Sequence, residues 1–111
     1  MMPRLNRELV LEAPVRVSDG AGGFVESWGE LGRLWAEVSP RTGRERDGAG
    51  LVLARVSYRI VVRAAPMGAT ARPRPDQRFR DGARVFRIEA VAERDPDGRF
   101  LTCFANEETL A

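Results

Sequence analysis

Asp95 and Asp97 flank Pro96, and a pair of carboxylates is the minimum equipment for general acid–base work on a glycosidic bond. They belong to Asp95-Pro96-Asp97-Gly98, whose residue types favour a turn, and turn formation explains them better than catalysis. Asp19-Gly20-Ala21-Gly22-Gly23 has the glycine content of a phosphate-cradling loop. It leads into a strand pattern rather than a helix, so no helix N-terminus is offered to a phosphate, and it reads as a hairpin turn. Cys103 is the single cysteine and lies in the apolar run Phe100-Leu101-Thr102-Cys103-Phe104, which marks a core or strand position rather than a nucleophile. Trp28 and Trp35 have the chemistry of base-stacking platforms for single-stranded nucleic acid. Against that stands packing in a core or a ring interface, the commoner fate of Trp on a short strand.

The missing residue types exclude more than the present ones suggest. All 18 basic residues are Arg, with no His and no Lys. Without His there is no His-dependent triad and no His-ligated zinc; without Lys there is no Schiff base and no Walker A lysine. No catalytic, metal or cofactor-binding set emerges, and the chain is not expected to be an enzyme. The net charge of +2 is far from the single-sign field of a typical DNA-binding domain. No stretch approaches the roughly 20 apolar residues of a membrane-spanning helix. Met1 to Arg7 lacks the apolar region of a signal peptide, so the expected compartment is the cytoplasm or a particle assembled there. With 111 residues, 43% hydrophobic, the chain is expected to form one domain over 1–111 around one modest core.

The elements that would position these residues are strands. Leu9 to Val17 alternates imperfectly and contains Pro14, which predicts an edge strand or a bulge. The Asp19–Gly23 turn returns it to Phe24–Trp28, and Leu34 to Ser39 is a further short strand, with Trp35 and Ala36 on opposite faces. Arg41 to Gly50 is polar and glycine-rich, with room for one helical turn around Arg44-Glu45-Arg46. Strict alternation then runs from Val52 to Arg63, with Val56, Tyr58, Ile60 and Val62 on one face and Arg55, Ser57, Arg59, Val61 and Arg63 on the other. That arginine ladder is either a solvated face or a surface turned toward DNA or a neighbouring subunit. Ala64 to Asp76, with Pro66, Pro73 and Pro75, reads as an exposed loop. Gln77–Arg80 and Arg84–Ala92 pair through Asp81-Gly82, with Phe86, Ile88 and Ala90 facing one way. Arg99 to Ala105 is the last strand, and 106–111 is expected to fray. The sum is an all-β fold: a small barrel of six or seven short antiparallel strands, at most one short helical turn, and long loops.

The order of these motifs resembles the phage head–tail joining (head-closure, or stopper) family. The matching signals are Asp19-Gly20, Trp28, Trp35-Ala36-Glu37-Val38, Gly43-Arg44-Glu45, the strand ending Ile60-Val61-Val62-Arg63, Asp81-Gly82 before Val85-Phe86-Arg87-Ile88, and Glu107-Glu108. The loop at 64–76 looks longer than is usual in that family. The resemblance implies a structural subunit of a homo-oligomeric ring, taken as a hexamer, in a virion, prophage-derived particle or gene transfer agent. It would sit below the portal and adaptor, hold packaged double-stranded DNA without sequence preference, and dock the tail terminator or tail tube, with no membrane partner. Asp19, Gly20, Trp28, Trp35, Ala36, Val38, Asp81 and Gly82 would then be structural motif residues. Arg41, Thr42, Gly43, Arg44, Glu45, Arg46 and Asp47 would form a channel or adaptor loop, and Arg55, Arg59 and Arg63 would face DNA or a neighbouring subunit. Two other readings stand beside it: a small nucleic-acid-binding barrel, which the 7% aromatic content disfavours, and a tail-terminator or minor tail protein.

Overall fold

The computed structural model describes residues 2–41 and 56–108. Six strands follow one another: β1 (Arg7–Ser18), β2 (Phe24–Pro40), β3 (Ser57–Arg63), β4 (Arg78–Asp81), β5 (Arg84–Glu93) and β6 (Phe100–Glu108). All pairings are antiparallel, in the order β1-β2-β3-β6-β5-β4, and β4 pairs back onto β1 so that the sheet closes. Closure leaves the body of the barrel without free edges. No helix occurs among the described residues.

Period-two alternation fills the interior. Leu9, Leu11, Ile60, Val62, Phe79 and Phe86 are fully buried on their inward faces. Ala36 is buried while its neighbour Trp35 stays 55% exposed, as their opposite faces require. β4 and β5 turn through Gly82 and Ala83, and Gly82 takes φ 60°, a conformation that glycine enters without a Cβ penalty.

Several elements depart from the sequence expectation. Phe24–Trp28 and Leu34–Ser39 are one strand, because the residues between them keep pairing with β1 through a bulge at Leu11/Glu12. Within the described residues the long arginine strand pairs over Ser57–Arg63; its expected start from Val52 to Arg55 lies outside them, as do Thr42 to Asp47 with the expected helical turn. Val61, assigned outward by alternation, is only 5% exposed. A bulge between Ile88 and Ala90 turns Ala90 outward opposite Phe104, so it does not share the face of Phe86 and Ile88. The 64–76 loop is anchored rather than fully exposed: Pro73 is fully buried and Arg72 donates to the Ala65 carbonyl at 2.9 Å. Asn106 to Glu108 do not fray but complete β6 against β5.

β1 and β2 outrun the barrel. β4 pairs with β1 only from Val10 to Glu12, whereas β2 follows β1 to Ser18. The residues from Ala13 to Gly29 therefore form a two-stranded arm reaching about 20 Å past the last pairing with β4. Pro14 falls in this arm, where only one neighbouring strand is present.

Candidate functional site

Three surfaces of the barrel combine charge, aromatic rings and exposure. The first surrounds Glu12, which follows the buried Leu9-Val10-Leu11 run and is itself 6% exposed. Its two oxygens accept Arg78 Nε at 2.7 Å and Arg80 Nε at 3.0 Å. Burial pushes the Glu12 carboxyl up, but the hydrogen bonds and charges of the two guanidiniums outweigh it and hold the group below the usual carboxylate range. This fork ties β4 to β1 at the seam that closes the barrel. Arg78 also lies over the Trp28 ring, 4.1 Å from its centre, with Arg87 at 5.8 Å. Trp28 thus presents a face covered by cations rather than an open platform for a base.

The second surface is one mouth of the barrel. Arg84 donates to Glu107 from Nε at 2.8 Å and from Nη2 at 3.2 Å, and from Nη2 to the Tyr58 hydroxyl at 3.2 Å. Its guanidinium lies 4.9 Å from the Phe86 ring centre. The Arg84 hydrogen bond lowers the Glu107 carboxyl and, reciprocally, Glu107 raises the Arg84 guanidinium. Ion pair, hydroxyl and rings together cap the core.

The third surface is the outward wall of β2, β3, β6 and β5. Arg59 and Arg63 are exposed there, with no carboxylate within 4.0 Å among the described residues. Arg63 lies 6.0 Å from the Phe100 ring centre, and Arg41, just past the end of β2, lies 5.2 Å from that of Phe104. Beside them Ala90 and Ala92 on β5 stand opposite Phe104 and Thr102 on β6. The alternation that predicted the ladder places Arg59 and Arg63 on one face here.

The remaining candidate residues are structural. The Asp19 carboxylate accepts the backbone N–H groups of Ala21 at 2.8 Å and Gly23 at 3.0 Å, which holds it below its ordinary range. Gly20 takes φ 80°, so this is the tight tip of the arm and not a phosphate loop. Asp95 accepts from the N–H groups of Arg99 and Phe100 and ties the β5–β6 turn. Val38 packs against the core and Asp81 pairs with Arg7 at 3.1 Å beside the Gly82 turn. Cys103 is buried and desolvation pushes its thiol up to about 12, which leaves it un-ionised and unreactive. Among the described residues no cluster of His, Cys, Asp or Glu could hold a metal. Glu12, Arg78, Arg80, Arg84 and Glu107 were not singled out by their spacing. The available signal was a lone carboxylate ending an apolar run, together with Arg78 and Arg80 at period two.

A model of the phage head completion proteins matches residues 1–108. The chain belongs to the phage head completion protein family. No curated protein matches this head completion protein. Among solved structures it is similar to a chain of the virion of a native gene transfer agent particle, at 61% identity and a TM-score of 0.81. That alignment covers 99% of this chain and 100% of the other. A head completion protein is a structural part of the particle and meets other head and tail proteins there.

Proposed function

We propose that this head completion protein is a stopper subunit: copies form a ring below the portal and adaptor, retain packaged DNA and give the tail its docking surface. The observation that carries the reading is the full-length likeness, at 61% identity, to a chain in a native gene transfer agent virion. The closed barrel supports it, because a subunit without free edges in its body assembles through chosen surfaces instead of aggregating through strands. Deleting the gene in the producing cell and imaging the particles tests it. DNA-filled or leaking heads separated from free tails are the expected outcome. Normal tailed particles would reject the role and favour a small nucleic-acid-binding barrel.

Within that role, the segment from Arg41 to Asp47 is the channel or adaptor loop. Its polar, glycine-rich sequence supports this, and so does its attachment. The Arg41 N–H donates to the Ser57 carbonyl at 2.8 Å, so the two ends of the connection between β2 and β3 are pinned together. Deleting Thr42 to Asp47 should therefore leave the barrel folded while packaged DNA escapes. The measurement is nuclease-accessible DNA in purified heads, and full protection would count against the assignment.

A further inference from the structure

Two surfaces stand open outside the Glu12 fork and the Arg84 cap. On the arm, the face that continues the barrel interior pairs Val15 with Ser27 and Val17 with Val25, and its three valines are exposed. The wall of β3 and β6 is of another kind, because its exposed groups are guanidiniums. Arg59 stands opposite Phe104, Val61 opposite Thr102 and Arg63 opposite Phe100. The Arg41 N–H donates to the Ser57 carbonyl, so Arg41 continues the line two positions past Arg59. At about 3.3 Å per residue, Arg41, Arg59 and Arg63 spread over about 20 Å.

None of the three has a carboxylate within 4.0 Å among the described residues. The carboxylates that border the wall are engaged elsewhere. Glu37 on β2 accepts the Arg4 N–H at 2.8 Å, Glu89 on β5 accepts from Asn106 at 3.2 Å, and Glu108 faces Arg87. Nor does an apolar side chain project from the middle of the wall. Val61 is buried, Thr102 is half-buried, and Ala90 and Ala92 are short. Phe104 and Phe100 lie under Arg41 and Arg63. The exposed Trp35 lies past the last β2–β3 pair, opposite Glu8. A protein partner would find no central anchor here. What stands highest is unpaired positive charge, and a guanidinium held over a ring keeps its N–H donors for a phosphate.

We infer that this wall of β3 and β6 lies against the backbone of the packaged duplex DNA, with Arg41, Arg59 and Arg63 each meeting a phosphate. Duplex DNA carries one charge per about 1.7 Å of its axis, so arginines spaced this widely meet phosphates in any register and read no sequence. The wall is also continuous with the segment proposed above as the channel loop, since that segment joins β2 to β3 and Arg41 belongs to both. The contact presumes the ring and the DNA retention proposed above, and adds which face of the subunit meets the DNA. Two or three phosphates per copy bind weakly, in keeping with a net charge of +2, but a ring offers them on every copy at once.

The test uses assembled particles. A photoreactive diazirine amino acid is placed at the exposed Ala92, beside Thr102, and the purified particles are irradiated. The expected product is the chain joined to DNA, seen as a retarded species that nuclease collapses. A product with a second copy or with another virion protein, or no product in particles that carry the chain, would overturn the inference. Charge removal gives a second measure. Arg59→Gln with Arg63→Gln should raise nuclease-accessible DNA in purified particles about tenfold, whereas Arg59→Lys with Arg63→Lys should stay near the native level, because a phosphate contact follows charge. Full protection in the Gln pair would count against the wall. Loss of the Gln pair from particles, with the melting temperature of the isolated chain unchanged, would assign the wall to a protein contact and overturn the proposal. Failure of the stopper role itself appears separately, as normal tailed particles after gene deletion.

Discussion

Phe86→Ala is expected to destabilise the isolated chain by about 4 kcal/mol, read as a lowered urea midpoint with an unchanged slope. The ring is fully buried and meets Tyr58 edge to face, with centroids 5.2 Å apart at 82°. It also carries the Arg84 guanidinium that caps this mouth of the barrel. Truncation leaves a cavity that the surrounding strands have no freedom to close, since β4 and β6 flank this position on both sides. Phe86→Leu keeps most of the volume and should cost less than about 1.5 kcal/mol. In a chain this small the larger loss takes a sizeable share of total stability, and the particle defect should approach that of gene deletion. Equal midpoints for Phe86→Ala and Phe86→Leu would show that the core is not organised around this ring.

The second large effect belongs to Glu12. Removing its charge with Glu12→Gln leaves Arg78 and Arg80 facing each other without a counter-ion at the closing seam. Breaking such a fork costs about 3 kcal/mol when it is buried. The 37% exposure of the Arg80 side chain moderates that figure. The same group sets a pH dependence. Its folded pKa is depressed, so its contribution is complete above the ordinary value of 4.5 and is lost as pH falls below it toward the folded value. Glu107, lowered first by the Arg84 hydrogen bond, adds to the same window. The melting temperature of the native chain should hold from pH 7 down to about 5 and then drop. Glu12→Gln should start lower and fall less steeply in acid, and parallel acid limbs for the two chains would remove Glu12 from this account.

Much of the fold was legible because alternation and turn chemistry are local. Asp19-Gly20, Asp81-Gly82 and Asp95-Pro96-Asp97-Gly98 each mark a real turn, and Leu9, Ile60 and Phe86 face inward as their period requires. What was not legible depends on partners far along the chain. Gly29 and Gly32 look like a break between two strands, but β1 supplies hydrogen-bonding partners on either side of a bulge, and the strand continues. The bulge that turns Ala90 outward leaves no local trace either. Pro73 reads as loop, and its burial is decided by what it packs beneath. Of the candidate surfaces, Arg59 and Arg63 follow from the alternation of one strand. The Glu12 fork joins residues 66 and 68 positions apart, and no periodicity carries that information.

Those separations also set an order of events in time. The arm is a local hairpin with a tight, self-capped tip, and such hairpins form in about 1–10 μs. Sealing the barrel must wait until Glu12 meets a strand from the far half of the chain, and non-local β closure belongs to the ms-to-s range. The nascent chain therefore displays its bare valine face well before its own body is finished. The arm is therefore paired before the β1–β4 seam that closes the barrel.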